Sequence, residues 1–166
     1  MQNIIQVRRS VIPSVIGVFA IAVVVGAMAM PPGATMVFAL CVVGLHWLSV
    51  IVHHAGHFVF ARLTGHPMRG IAFWFVFAQD LYLPNEPDLP PRTHLIRAVG
   101  GPVFSAILSV MAFGLMQAVS APLWLAWALR FFFLDNLLVM TLQVFLPVSF
   151  GDGSAIWKWL PRLLRG

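Results

Sequence analysis

Charged residues are scarce in this sequence, and their scarcity decides the class of protein. Only 9% of the 166 residues are Asp, Glu, Lys or Arg, whereas 60% are hydrophobic. A soluble domain carries about 25% charged residues, so a soluble fold is excluded and we expect an integral membrane protein. Cysteine is almost absent as well. Cys41, the single cysteine, cannot form a disulfide within the chain and lies in an apolar run typical of a packed helix.

Acidic residues are rarer than basic ones, which gives the chain a formal net charge of +5. Nucleic-acid-binding proteins share such an excess, but they combine clustered basic residues with aromatic side chains that stack on bases. No such pattern occurs here, so we predict no nucleic-acid partner. The lipid bilayer is the expected partner of the basic residues.

Four apolar stretches have about the 20 residues that a transmembrane helix needs. They cover residues 11–30, 35–62, 94–119 and 123–146. The first follows two arginines and mimics a signal peptide, but its apolar run is too long and leads straight into the turn sequence PPGA. We therefore interpret it as a retained helix. The chain divides into an N-terminal transmembrane helix and turn (1–34), a membrane core (35–157) and a basic interfacial tail (158–166).

The segment between the second and third helices, residues 63–94, mixes charged residues with the short apolar piece IAFWFVF. So short a piece cannot cross a bilayer as a helix, so it suits a strand or a re-entrant segment packed on the bundle. The predicted fold class is an all-α membrane protein with about four transmembrane helices. Three of them form the core, the N-terminal helix is added, and the short segment separates helices two and three.

Basic residues cluster on one side of this arrangement. Four spans put the N-terminus, the 63–94 segment and the tail on the same side, which holds every Lys and Arg except Arg130. By the positive-inside rule, both termini are expected to be cytoplasmic, and a bacterial inner membrane is the expected location. The tail, with its cations and tryptophans, is expected to lie along the cytoplasmic interface.

The second predicted helix carries the sequence HHAGH at residues 53–57. His53 and His57 are four residues apart, so both imidazoles face one side of the helix and can meet at one ion. Histidine inside a membrane is costly without a partner, and catalytic zinc takes three protein ligands. Asp152, in the sequence GDG just past the fourth helix, lies at a matching depth. It is the predicted third ligand of a zinc ion.

His46 lies seven residues before His53 and shares its helix face. Three interpretations remain open for it. The imidazole pairs with a polar neighbour, ligates the metal of a macrocycle, or simply packs in the bundle.

Three motifs resemble those of the site-2 protease family of intramembrane zinc metalloproteases. HHAGH is similar to the family's H-E-x-G-H, RAVGGPVFSAIL to its A-x-A-G-P-x-x-N, and VFLPVSFGDGSAI to its N-x-x-P-x-x-x-L-D-G. The resemblance covers roughly residues 40–157, with the motifs in the family's order. The matching residues are His53, Gly56, His57, Ala98, Gly101, Pro102, Pro147, Asp152 and Gly153.

This resemblance implies a fold, a cofactor and an activity. It makes His53, His57 and Asp152 the zinc ligands of a site-2-protease-like core. The activity that it implies is cleavage of transmembrane segments of partner proteins near the cytoplasmic face. The expected partner is therefore a transmembrane protein, either a substrate or a neighbouring subunit.

The chain departs from the family beside the metal. The family's general base, a Glu, is replaced by His54, and its second-motif Asn by Ser105. The last-motif Asn position holds Val144, with Gln143 beside it. His54 is thus the candidate catalytic base, and Ser105 and Gln143 are candidate substrate-binding residues. A proton taken by His54 would create a cation next to zinc, which the field of the ion opposes, so we expect weak or no proteolysis.

A surrogate carboxylate would have to come from Asp80 or Asp135. Asp135 lies about 25 Å from Asp152 if the helix rises regularly between them. We expect Asp135 to pair with Arg130 or with a neighbouring helix instead. Asp80 lies in the segment between helices two and three, where the sequence does not fix its position.

Three functions are therefore in competition. The chain is a working intramembrane metalloprotease with an unusual base, or a degenerate relative. A degenerate relative would serve as a non-catalytic structural or binding subunit of a membrane complex. The third candidate is a haem- or pigment-ligating membrane protein, with His46, His53 or His54 as the axial ligand.

Overall fold

The computed structural model describes residues 4–147 and 151–165. Residues 148–150, inside the last of the three motifs, lie outside the described residues. Helices dominate the described chain, and a small sheet joins them. The helices are α1 (Val11–Ala27), α2 (Pro32–Leu63), α3 (Pro91–Ala118), α4 (Leu123–Leu134) and α5 (Asp152–Leu164). The strands are β1 (Ile4–Val7), β2 (Gly70–Trp74) and β3 (Phe77–Leu81).

Three helical segments are long and apolar enough to cross a membrane, which confirms the predicted membrane fold. They are α2, α3 and the stretch Leu123–Phe145 that begins with α4. Helix α1 is apolar but has only 17 residues, so of the four predicted spans it is the short one. A proline opens α2 and another opens α3. At the first position of a helix a backbone N–H has no acceptor within the helix, so proline, which lacks the N–H, sacrifices no hydrogen bond there.

The segment between α2 and α3 forms strands, the first of the two predicted alternatives. β2 and β3 pair antiparallel, with Gly70 opposite Leu81. β1, which the sequence did not predict, pairs parallel with β2 and completes a three-stranded sheet. A Cβ on Gly70 would collide with the backbone carbonyl of Ile4, so glycine permits this close approach. The sheet lies beside α2 and carries its third strand towards the histidines.

Helices α2 and α3 cross at two glycines. A Cβ on Gly56 would collide with the carbonyl of Gly100, and a Cβ on Gly100 would lie 2.6 Å from the carbonyl oxygen of Gly56. Small residues at a crossing let two backbones approach closely, which is how helices pack in membranes. The crossing brings the α2 histidines against the backbone of α3. A second packed cluster joins α1, α2 and α4 through Ala22, Phe38, Ala39, Val42 and Ala128.

The fourth predicted helix, 123–146, changes its geometry halfway. After α4 the chain forms a π-helical turn over Asp135–Thr141 and then a 3-10 turn over Leu142–Phe145. The amide of Asn136 donates to the carbonyl of Phe132 and to the hydroxyl of Ser49 on α2. Such side-chain bonds to a neighbouring helix favour a local departure from the regular ladder, and π-turns of this kind are frequent at functional sites.

Candidate metal centre

Three side chains from two helices converge on one point. The two Nε2 atoms of His53 and His57 are 3.1 Å apart. One Asp152 oxygen lies 3.1 Å from the Nε2 of His53, and the other lies 3.2 Å from the Nε2 of His57. Helix α2 supplies both histidines through its four-residue spacing, and the first turn of α5 supplies the carboxylate.

Hydrogen bonds orient both imidazoles. The Nδ1 of His57 is 2.8 Å from the backbone carbonyl of Arg97, which can only accept, so Nδ1 carries the proton. The Nδ1 of His53 is 3.0 Å from the hydroxyl of Ser105 and can donate to it in the same way. Both Nε2 atoms face each other and the carboxylate of Asp152. A carboxylate so placed needs a positive charge beside it, supplied either by a proton on an imidazole or by a metal ion held between the three groups.

The spacing fits zinc. Tetrahedral zinc with ligands at about 2.0–2.1 Å places those ligands about 3.3 Å from one another. The two imidazole nitrogens are 3.1 Å apart, and one Asp152 oxygen lies 3.1 Å from the first and the other oxygen 3.2 Å from the second. Two imidazoles and one carboxylate are a donor set that catalytic zinc sites use, and a second shell of partners on Nδ1 is the usual companion. His53, His57 and Asp152 are thus a possible metal site.

Glycine keeps the centre open. A Cβ on Gly101 would collide with the Nε2 atoms of His53 and His57. On the α5 side, a Cβ on Gly153 would collide with the carbonyl of Leu146. The glycine beside Asp152 therefore lets α5 begin close enough for the carboxylate to reach the histidines. Burial alone would raise the pKa of Asp152, but the facing imidazoles hold that pKa below its ordinary range.

His54 points to the other side of this centre, where it meets Asp80 of β3. Its Nδ1 donates to a carboxylate oxygen of Asp80 at 2.7 Å. The hydroxyl of Tyr82 donates to the second oxygen at 3.4 Å. Burial and the neighbouring Asp80 raise the pKa of Tyr82 far above its ordinary value, which keeps its proton in place. His54, His57 and Asp80 form a second group with metal-ligand atoms close together, but the Nδ1 of His57 is already bonded to Arg97.

A cleft of about 460 Å³ opens beside the centre. Charged and polar side chains line it, among them His54, Asp80, Tyr82, Glu86, Arg97 and Asp152. Arg97 is only 5% exposed and organises one wall. Its guanidinium forms two bonds to the carboxylate of Glu86, two to the carbonyl of His66, and lies 3.8 Å above the ring of Tyr82. The hydrogen bond from Arg97 lowers the pKa of Glu86 below its ordinary value.

The remaining sequence-predicted residues fall in different places. Ser105 is fully buried and contacts His53 rather than the cleft. Gln143 lines a smaller cavity of about 60 Å³, together with His53, His54 and Asp152. Of the three interpretations of His46, the structure supports the first, in which the imidazole pairs with a polar neighbour. Its two ring nitrogens contact Asp135 and the carbonyl of Val76, which leaves no nitrogen for a macrocycle.

Sequence reasoning missed the partners that complete the site. It left Asp80 unplaced and assigned no role to Tyr82, Glu86 or Arg97. The antiparallel register of β2 with β3 places Asp80 opposite Ile71 and beside α2. A register of this kind depends on pairing across the sheet. The sequence does hold one signal for Asp80 and Glu86. Only five acidic residues occur in the whole chain, so each of them is a candidate for a specific role.

Comparisons with known proteins agree with this geometry at the level of the fold. No protein-family model matches the chain, and no curated protein matches it. Among solved structures, the chain is similar to the site-2 protease from Methanocaldococcus jannaschii, with a TM-score of 0.66 and 16% sequence identity. The match covers 100% of this chain and 70% of the archaeal chain. The chain therefore has a site-2-protease-like fold and is an integral membrane protein with a possible metal site.

Proposed function

We propose that this chain is an intramembrane zinc metalloprotease of the site-2 type, in which His54 and Asp80 together replace the usual catalytic glutamate. The observation that carries the proposal is the 2.7 Å bond between His54 and Asp80 beside the three convergent ligand atoms. The substrate class that fits is a transmembrane segment of a partner protein. Cleavage is expected to be slow.

His53, His57 and Asp152 would hold the zinc. When bound, zinc polarises a substrate carbonyl and lowers the pKa of a water to about 7, so that the water can lose a proton at neutral pH. The chain's own residues orient the ligands. The carbonyl of Arg97 and the hydroxyl of Ser105 fix the two Nδ1 protons, so that both Nε2 lone pairs face the metal position.

The carboxylate of Asp80 makes a histidine base compatible with a nearby zinc ion. A protonated His54 would add a positive charge beside zinc, which the ion's field disfavours. A carboxylate at 2.7 Å stabilises that imidazolium and keeps the proton on Nδ1, so Nε2 is the atom that can accept a proton. A histidine held by a buried carboxylate is a familiar general base in hydrolases.

The surroundings suit a substrate that is partly apolar. The polar cleft admits water on one side of His54. The smaller cavity, which His54 also lines, has Val50, Phe77 and Met140 among its wall residues. A peptide lying across both would put its apolar side chains in the second and its scissile bond near the metal position. We further propose that both termini are cytoplasmic, in a bacterial inner membrane, which the clustering of basic residues supports.

A reconstituted cleavage assay tests the proposal. The full chain, loaded with zinc in lipid nanodiscs, is incubated with a labelled transmembrane peptide, and single-turnover rates are measured. We expect Asp80→Asn to slow cleavage by about 10²- to 10⁴-fold, the range for loss of general-base assistance, with zinc content unchanged. Asp88→Asn is the matched control, because Asp88 is exposed in the loop that follows β3, and it should leave the rate within twofold (about 0.4 kcal/mol).

Two outcomes would count against the proposal. If Asp80→Asn cleaves at the wild-type rate, Asp80 is not part of the general base. Zinc-loaded wild-type protein that cleaves nothing, while His54→Glu does cleave, would favour the non-catalytic alternative. One observation supports that alternative. Ser105 stands where the family has Asn, and it is buried against His53 instead of facing the cleft.

A further inference from the structure

A second buried ionisable pair lies outside the metal centre. His46 is in α2, about 10 Å and two helical turns before His53. It faces Asp135, the first residue of the π-helical turn. His46 is 7% exposed and Asp135 is 5% exposed. Ionisable groups inside a membrane-spanning bundle are costly, and they are retained where they have a task.

The hydrogen-bond geometry indicates which atoms of this pair carry protons. The Nε2 of His46 is 2.7 Å from the carbonyl oxygen of Val76. A carbonyl can only accept, so Nε2 carries a proton. The Nδ1 is 3.2 and 3.4 Å from the two oxygens of Asp135. One N–H shared between both oxygens gives such near-equal distances, so the geometry favours an imidazolium that donates from both nitrogens.

The bond from His46 to Val76 reaches the sheet that carries Asp80. Val76 is in the turn between β2 and β3. The residue before it, Phe75, has a positive φ of 47°, a conformation that costs energy in a non-glycine residue and persists only where its surroundings hold it. Two serines at the start of α1 also hold this turn, Ser14 in its first turns and Ser10 just before it. The hydroxyl of Ser14 donates to the carbonyl of Phe75 at 2.6 Å, and the amide of Phe75 donates to the hydroxyl of Ser10 at 3.2 Å.

Strand β3 starts directly after Val76 and carries Asp80 four residues later. At about 3.3 Å per residue, the anchored carbonyl lies about 13 Å along the strand from Asp80. The far end of β3 is held by the pairing of Leu81 with Gly70 of β2, and by Arg97, whose guanidinium lies 3.8 Å above the ring of Tyr82. The position of that carboxylate against His54 thus depends on an anchor at each end of the strand.

We propose that His46 is a positioning residue: as an imidazolium held by Asp135, it fixes the turn between β2 and β3, so that Asp80 meets His54. The role rests on the proposed function of His54 and Asp80. His46 contacts neither the metal ligands nor the cleft. It acts through the carbonyl of Val76 and the strand that follows.

Nitrogen-15 NMR of selectively labelled histidines tests this inference without any need for cleavage. The sample is the full chain in nanodiscs, loaded with zinc, and the six histidines are assigned by substitution. Two results are expected for the wild type. His46 shows both ring nitrogens protonated at neutral pH, and His54 shows the downfield Nδ1 proton of a short bond to a carboxylate. In Asp80→Asn the downfield His54 signal should be lost, and this variant therefore serves as the reference for loss of that signal.

The variants separate positioning from general structure. His46→Leu removes both donors, so the downfield His54 signal should disappear as it does in Asp80→Asn. His46→Gln keeps an N–H that can reach Val76 and should restore the signal. His66→Gln is the matched control, because only the backbone of His66 contacts Arg97. Zinc content should stay unchanged in all of them, which also reports that each variant is folded.

Two results would overturn the inference. An unchanged His54 signal in folded His46→Leu would show that His46 does not position Asp80. A neutral His46 in the wild type would contradict the imidazolium, and this measurement stands even where His46→Leu fails to fold. Neither readout depends on turnover. A chain with both signals but no cleavage would therefore refute the proposed function while it leaves the positioning role in place.

Discussion

Gly101→Ala places a methyl group where the metal centre needs space. The added Cβ would collide with the Nε2 atoms of His53 and His57. Carbon packs against its neighbours at about 3.5–4.0 Å, so α3 would have to retreat from α2 by about 1 Å or more. Losing one outer partner of a zinc ligand weakens binding by about 10- to 100-fold. A carbon between the two ligands is more disruptive, so we expect zinc to bind at least about 100-fold more weakly, or about 2.7 kcal/mol.

Competition with a chelator measures this effect. Purified protein is titrated with a zinc chelator of known affinity, and zinc per chain is read by mass spectrometry. Gly114→Ala is the matched control, since Gly114 is in the same helix and a Cβ there would meet nothing within 4 Å. That control should bind zinc normally. Wild-type zinc affinity in Gly101→Ala would refute the geometry of the centre.

Two further predictions concern the elements that hold the site. Gly56→Ala drives a methyl group into the carbonyl of Gly100 and should destabilise the chain by about 1–3 kcal/mol, the usual cost of overpacking. Thermal unfolding in detergent measures it, with Gly44→Ala as the control, since a Cβ there meets nothing. Glu86→Gln weakens the bond to Arg97 and should cost about 1.5–3 kcal/mol at pH 7. Because Arg97 lowers the pKa of Glu86 from its ordinary 4.5, this stabilisation is present above pH 4.5 and is lost as pH falls through the lower, folded-state pKa. The stability gap between wild type and variant should therefore close in acid, and a gap that persists there would contradict the assignment.

Helical periodicity made the convergence of His53 and His57 predictable. A four-residue spacing puts His53 and His57 on one face whatever surrounds them. The carboxylate of Asp152, between two glycines just past the fourth span, was predictable only because it lies at the depth of that histidine pair. The fold was predictable for the same reason, because long apolar runs have few alternatives in a membrane. The structure brings these predicted ligands together within 3.2 Å of one another.

Contacts between residues that lie far apart in the sequence could not be predicted. Asp80 reaches His54 only because β3 pairs with β2 in one register, and β1 joins that sheet from the far end of the chain. The apolar run of the fourth helix contains no glycine or proline to signal a change of geometry. Its π-turn depends on Asn136 bonding a serine of another helix. Of the two partners expected for Asp135, the neighbouring helix was correct, since Asp135 pairs with His46 of α2 rather than with Arg130.

The zinc content of the purified full chain, wild type against Asp152→Ala, tests the proposed metal site most directly. We expect about one zinc per chain in the wild type, since two imidazoles and one carboxylate complete a three-ligand site, and loss of that zinc in the variant. Asp88→Asn, the exposed acidic control, should keep it. Wild-type protein that binds no zinc, or Asp152→Ala that binds it as tightly as wild type, would contradict the central claim.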